Sequence, residues 1–242
     1  MKIWKKILIG LAVLLIVFSG GFIIWGESAS KPMEEAKLAL QSDTSVQVDE
    51  GNWLVFSPKL QTPNTGFIFY PGGKVDYRAY APMAHKLAAK GYLVVIPRMP
   101  LNLAVFGINR AGDVINKYPG VTRWFIGGHS LGGSMAANYL YENQSQFVGL
   151  ILLASYPASS NDLQNYSGKV LSIYGSNDGL ATPAKIEASK ALLPASTVYY
   201  EVNGGIHAYF GWYGLQKGDG EAAITREEQQ SQILEQILQF MK

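Results

Sequence analysis

The chain has 242 residues, 48% of them hydrophobic and only 16% charged. Such a composition excludes a disordered protein, and a charge content well under the roughly 25% of ordinary soluble domains places part of the chain outside water. The formal net charge is +2, but without Lys2, Lys5 and Lys6 the balance becomes −1, so no basic stripe is left for nucleic acid. Cysteine is absent, which excludes disulfides, thiolate metal sites and a thiol nucleophile.

Residues 1–6 form a short basic tail. From Ile7 to Trp25 runs an uncharged apolar stretch of nineteen residues, long enough as a helix to cross a hydrocarbon core about 30 Å thick. Lys2, Lys5 and Lys6 precede it, and Trp4 and Trp25 stand where interfacial aromatics belong. The expected topology is a single pass with the N-terminus cytoplasmic and the rest extracytoplasmic. The other reading is a cleaved secretory signal, for which Ser28-Ala29-Ser30 supplies small residues; against it, the apolar run exceeds the usual signal-peptide core of roughly 7–15 residues. Residues 26–44 are polar and read as a spacer, and residues 45–242 as one folded domain.

Within that domain, apolar β-rich runs alternate with helical patterns. Strands are expected near Ser45–Val48, Trp53–Phe56, Gly66–Tyr70, Tyr92–Pro97, Thr122–Gly127, Gly149–Ser155, Lys169–Gly175 and Thr197–Val202. Helices are expected near Tyr80–Lys90, Leu103–Lys117, Leu131–Tyr141 and Thr182–Leu193. A last helix is opened by a capping box at Thr225 and Glu228, with an Ile233, Leu234, Ile237, Leu238, Met241 stripe facing the core. Continuously apolar strands joined by helical crossovers imply an α/β fold, a mostly parallel sheet flanked by helices, with an antiparallel opening hairpin at its edge.

The strand at Trp124–Ile126 leads directly into Gly128-His129-Ser130-Leu131-Gly132, a G-x-S-x-G match, and then into a helical pattern. A turn this sharp puts Ser130 at its apex with a strained backbone, and side chains at Gly128 and Gly132 would collide with neighbouring elements. It also leaves the Leu131 N–H at a helix N-terminus, where developing negative charge is stabilised. A serine hydroxyl needs a base, and there are three histidines. His129 lies inside the turn and points away from its neighbour, and His85 lies on a helix far below the strand ends. His207, on a glycine-hinged loop after the last strand, is the candidate base. Asp178, on the loop after Val170–Tyr174, is the candidate acid, with Asp162 one loop earlier as its competitor. A second oxyanion donor is expected from Gly73 in YPGGKVDYR, with Lys74 as the alternative. Phe106, Tyr156, Tyr209, Phe210 and Trp212 are candidates to line an acyl pocket.

With Ser130, Asp178 and His207 in that order on alternating strands and helices, the chain from about Ser45 to Lys242 resembles the α/β-hydrolase superfamily. GHSLGG is similar to the elbow of lipases, esterases and thioesterases, and the compact spacing is similar to the small dienelactone-hydrolase-like branch, which often carries cysteine where Ser130 stands. The resemblance implies an α/β-hydrolase fold in which Ser130 is the nucleophile, His207 the base and Asp178 the acid, with Leu131 and Gly73 N–H groups in the oxyanion hole. Only about a dozen residues, PASSNDLQNYSG, stand where many relatives insert a cap, so no large cap domain is expected. The implied activity is hydrolysis of a small-molecule or lipid-like carboxylic ester, without metal or cofactor. A peptidase or acyltransferase would use the same triad, and a non-catalytic scaffold keeping the fold is the contrasting class.

Overall fold

The computed structural model describes residues 3–242, so Lys2, part of the basic flank, lies outside the described residues. Helix α1 runs over Ile3–Glu27 and the short α2 over Glu34–Leu38. The domain proper then builds β1 (Val46–Glu50), β2 (Trp53–Pro58), β3 (Thr65–Tyr70), α3 (Ala81–Ala88), β4 (Leu93–Pro97), α4 (Arg110–Lys117), β5 (Arg123–His129) and α5 (Leu131–Glu142). It continues through β6 (Gly149–Leu153), β7 (Lys169–Gly175), α6 (Pro183–Ser189), β8 (Val198–Val202) and α7 (Arg226–Phe240).

The eight strands make one sheet in the order β1-β2-β4-β3-β5-β6-β7-β8. The pairs β1–β2 and β2–β4 are antiparallel and all the others parallel, as the apolar strand pattern implies. Strands β3, β4 and β6 are buried along their whole length, because helices cover both faces. Side chains alternate between two cores. Phe67 and Phe69 point with Phe56, Phe125 and Ile173 toward α3 and α7, whereas Ile68 and Tyr70 point with Ile126, Leu150 and Leu152 toward α4 and α5.

Register decides where the loops emerge. Tyr70 at the end of β3 pairs with Gly128, His129 at the end of β5 pairs with Leu153, and Gly175 at the end of β7 pairs with Val202. The carboxyl ends of five parallel strands therefore stop level along one rim, the edge at which open α/β sheets present ligand-binding loops. The connection 154–168 between β6 and β7 contains turns and no helix, so the rim carries no large cap.

Two expectations are corrected. The pattern at Leu103–Lys117 is not one helix: a single 3-10 turn at Ala104–Phe106 is separated from α4, because the backbone leaves the helical region at Gly107 (φ −134°, ψ 24°). Residues 26–44, expected as a spacer, do not run free. Ser30 forms a bridge with Val75 and Pro32 with Tyr213, and Ala36 of α2 is fully buried, so backbone pairing and apolar burial fasten this stretch to the domain.

Helix α7 has both halves of the Thr225/Glu228 capping box, and Ile233, Ile237 and Met241 are buried while Leu234 and Leu238 are only partly covered. Ile237→Ala should therefore lower stability by about 2–5 kcal/mol, clearly more than Leu238→Ala, as read by thermal unfolding of the detergent-solubilised full chain.

Candidate active site

At the end of β5 the backbone turns through Ser130 at φ 53°, ψ −125°, a region that costs a non-glycine residue on the order of 1–3 kcal/mol. The turn is held on three sides. The Ser130 N–H donates to the Leu153 carbonyl at 3.0 Å, and the Ser130 carbonyl accepts from the Ser134 N–H at 3.2 Å and the Ser155 hydroxyl at 2.6 Å. A Cβ at Gly128 would lie 2.5 Å from the Tyr70 carbonyl oxygen, and one at Gly132 would lie 2.2 Å from the same atom. Only glycine lets β3, β5 and the first turn of α5 approach this closely.

His207 opens a 3-10 turn, His207–Phe210, five residues beyond the end of β8. Its buried imidazole meets buried Asp178 at 2.8 Å, Nδ1 to Oδ2, and the other carboxylate oxygen accepts the N–H groups of Leu180 (2.8 Å) and Ala181 (2.7 Å). Asp178 is thus locked by its own turn, and it fixes the ring orientation and the tautomer that leaves Nε2 as the acceptor. Ser130 and His207 line the same cavity of about 250 Å³, together with Leu131, Ser134, Tyr156 and Leu180. Asp162, the competing acid, sits in an exposed turn, where it accepts the Gln164 N–H. His85 bonds the Ala39 carbonyl and the Asp43 carboxylate on the outside of α3 and does not line the cavity that holds Ser130 and His207.

For the oxyanion donors the fold discriminates between neighbours. The Lys74 N–H is already taken by the Asn102 carbonyl at 2.8 Å, whereas among the described residues no acceptor engages the N–H of Gly73 or Leu131. Gly73 also lies against Leu131: a Cβ there would stand 3.0 Å from Leu131 Cδ2. Of the five pocket aromatics, Tyr156 lines the cavity. Phe210 is buried against His129, Trp212 lies near α2, Tyr209 packs on Arg226, and Phe106 is exposed beside α1, so these four are corrected to packing or surface positions.

Several supporting residues escaped the sequence reading. Asp219 receives the backbone N–H groups of His207 (3.0 Å), Ala208 (2.7 Å) and Gly179 (3.3 Å), tying the histidine loop to the aspartate loop. Gln229 of α7 brackets Ile206 with two hydrogen bonds. Tyr80 accepts the Gly72 N–H at 3.0 Å and meets His129 Nδ1 at 2.9 Å. His129 in turn packs on His207 with ring centroids 4.5 Å apart. Burial first, and then the neighbouring His207, hold its pKa well below the ordinary histidine value. His129 stays neutral beside His207, so it adds no like charge when that ring takes up a proton. The one cue in the sequence was Asp219 between two glycines, a pattern shared by ordinary turns.

Residues 66–231 match the model of the alpha/beta hydrolase family, and the chain belongs to that family. Among solved structures it is similar to Est1E from Butyrivibrio proteoclasticus with ferulic acid bound (13% identity, 80% of this chain and 98% of that one, TM-score 0.59). It is also similar to a dienelactone hydrolase-like chain from Klebsiella pneumoniae (16%, 83% and 97%, 0.61). A third likeness is to a thermophilic esterase from Thermogutta terrifontis with malate bound (11%, 82% and 98%, 0.58). At these identities the likeness is one of fold. A search of curated proteins returns no significant match.

His129 titrates near 6.5 in the unfolded chain and well below that in the fold. Between those values the unfolded chain binds the extra proton, so stability holds above about pH 6.5 and falls as the pH drops below it. Thermal unfolding between pH 7.5 and 5 should show this slope, and His129→Gln should flatten it.

Proposed function

We propose that the protein is a membrane-anchored serine hydrolase that cleaves carboxylic esters through an acyl-enzyme on Ser130. The observation that carries this reading is the buried 2.8 Å Asp178–His207 pair facing the same cavity as Ser130 on its strained turn. Family membership supports a hydrolase, and the names of the similar structures favour esters.

In this mechanism His207 Nε2 removes the hydroxyl proton as Ser130 Oγ attacks the ester carbonyl. Charge developing on the carbonyl oxygen falls to the Gly73 and Leu131 N–H groups, the second of which opens α5 with its favourable dipole. The imidazolium, steadied by Asp178, returns the proton to the departing alkoxide, and the alcohol leaves. Water, deprotonated by the same imidazole, then attacks the acyl-enzyme, and collapse of the second tetrahedral intermediate releases the acid and restores Ser130.

Anchoring is supported by α1, none of whose apolar window is buried in the fold. Its C-terminal turn is held by the domain, with the Trp25 carbonyl accepting from Lys74 Nζ and the Ser30 N–H donating to the Lys74 carbonyl. These contacts favour a retained helix over a cleaved signal. The catalytic domain is then extracytoplasmic, with the N-terminus inside.

A fluorophosphonate probe should label the full chain at Ser130 and fail to label Ser130→Ala; an unlabelled but folded wild type would favour a scaffold. His207→Ala should abolish turnover of p-nitrophenyl esters while His85→Ala retains it. Gly73→Pro, which deletes one donor, should lower kcat by about 10²–10³.

A further inference from the structure

The apolar helix does not merely tether the domain; it is packed against the loops that frame the proposed catalytic cavity. Lys74, one residue beyond Gly73, lies over the Trp25 ring at 4.3 Å and donates to the Ser28 hydroxyl at 2.8 Å as well as to the Trp25 carbonyl. Asn102 bridges the two parts: its side chain donates to the Gly26 carbonyl at 3.2 Å, and its own carbonyl accepts the Lys74 N–H. Gly26 sits so close to Leu101 that a Cβ would lie 2.8 Å from that side chain. Lys74, Leu101 and Asn102 all have positive φ, so three strained residues are held where α1 meets the domain. Such strain persists only where the surroundings over-determine it.

Depth along the helix turns this docking into a prediction about the membrane. With Trp25 at the interface, Phe22 lies three residues, about 4.5 Å, closer to the bilayer centre. Phe106 meets Phe22 edge-on with ring centroids 6.3 Å apart, on the same short turn as Val105. Phe106 is 52% and Val105 41% exposed, although both are large apolar side chains next to a helix with no water-soluble face. The same segment leads back to the cavity. Leu103 flanks Gly73, Gly73 flanks Leu131, and Leu131 lines the cavity wall. Beside the α1 terminus a cleft of about 520 Å³ is lined by Lys31, Lys37, Arg78 and Arg98, with Arg78 paired to Asp76, Lys37 to Glu34 and Arg98 to Glu27.

We propose that the Leu101–Phe106 segment is seated in the outer membrane–water interface beside α1, with Val105 and Phe106 reaching the acyl region. The site then takes esters borne in the bilayer, with acyl chains that slide from the leaflet past Leu103 toward Ser130. The substrate class is the long-chain ester of a membrane lipid. This inference rests on the anchored-hydrolase reading and adds to it a direction of substrate entry. Because Val105 and Phe106 are exposed beside α1 and α1 holds the domain to the surface, a lipid ester reaches the cavity without first crossing water as a monomer.

The natural absence of cysteine permits single-site labelling. Phe106→Cys, Ile16→Cys and Leu60→Cys are each labelled with a nitrobenzoxadiazole fluorophore in the full chain and reconstituted into phosphatidylcholine vesicles with and without 5-doxyl phosphatidylcholine. Leu60 is 81% exposed and follows β2 at the end of the sheet opposite the carboxyl rim, so it reports water. Quenching at positions 16 and 106, at least twofold stronger than at 60, is the expected result. Quenching at 16 but not at 106 overturns the seated loop while leaving the anchor, and quenching at neither overturns both. In parallel, the ratio of kcat/KM for vesicle-borne p-nitrophenyl palmitate to that for soluble p-nitrophenyl acetate should fall tenfold or more in Val105→Asp/Phe106→Asp. An unchanged ratio overturns the entry route. Failure of the hydrolase reading appears separately, as a wild type inert toward both esters, and the label positions are still read.

Discussion

The approach of three backbone segments at Gly128 and Gly132 is the constraint from which the site follows. The Tyr70 carbonyl stands where a Cβ at either position would have to be, so β3, β5 and the first turn of α5 are closer than any side chain allows. That proximity forces Ser130 into its positive-φ conformation and sets the Leu131 N–H beside the Gly73 loop. Parallel register does the remaining long-range work. Because β3, β5, β6, β7 and β8 end level, the loops bearing Gly73, Ser130, Tyr156, Asp178 and His207 share one rim although they are spread over 135 residues of chain.

Electrostatics at the rim are arranged around a buried imidazole. His207 has a carboxylate at 2.8 Å on one nitrogen and a second, uncharged histidine against its face. His129 is kept neutral by burial, and its Nδ1 is occupied by Tyr80, whose oxygen also takes the Gly72 N–H. A single buried pair of side chains thereby links the glycine loop after β3 to the packing of the histidine loop after β8. Asp219 performs the corresponding service for backbone, collecting N–H groups from both sides of the Asp178–His207 pair. Buried donors and acceptors satisfied in this way rigidify the loops that carry them.

The N-terminal helix belongs to the same architecture. Lys74 and Asn102 join its last turn to the loops around the cavity, and Ser30 continues the connection by accepting the Asp76 N–H and donating to the Lys74 carbonyl. A helix that is apolar on every face and a domain that grips its end define a fixed orientation of the sheet's carboxyl rim relative to that helix. On the proposed reading, anchoring and substrate access are therefore one geometric question.

Much of this was decided by local pattern. The two-sided apolar strands required a helix-covered parallel sheet, the nineteen-residue uncharged run required a long apolar helix, and the Thr225/Glu228 pair marked the start of α7. The glycines around Ser130 announced the sharp turn because their need is local: backbone crowding within a few residues of the serine. Other features depend on which distant segments meet, and linear pattern is silent about that. Asp219, Tyr80 and Gln229 act through hydrogen bonds spanning 12, 49 and 23 residues, and each resembles an ordinary loop or helix residue until its partner arrives. The docking of residues 26–44 and the choice of Gly73 over Lys74 as the free donor were settled the same way, by a bridge to Val75 and by an Asn102 carbonyl that only the folded chain brings near.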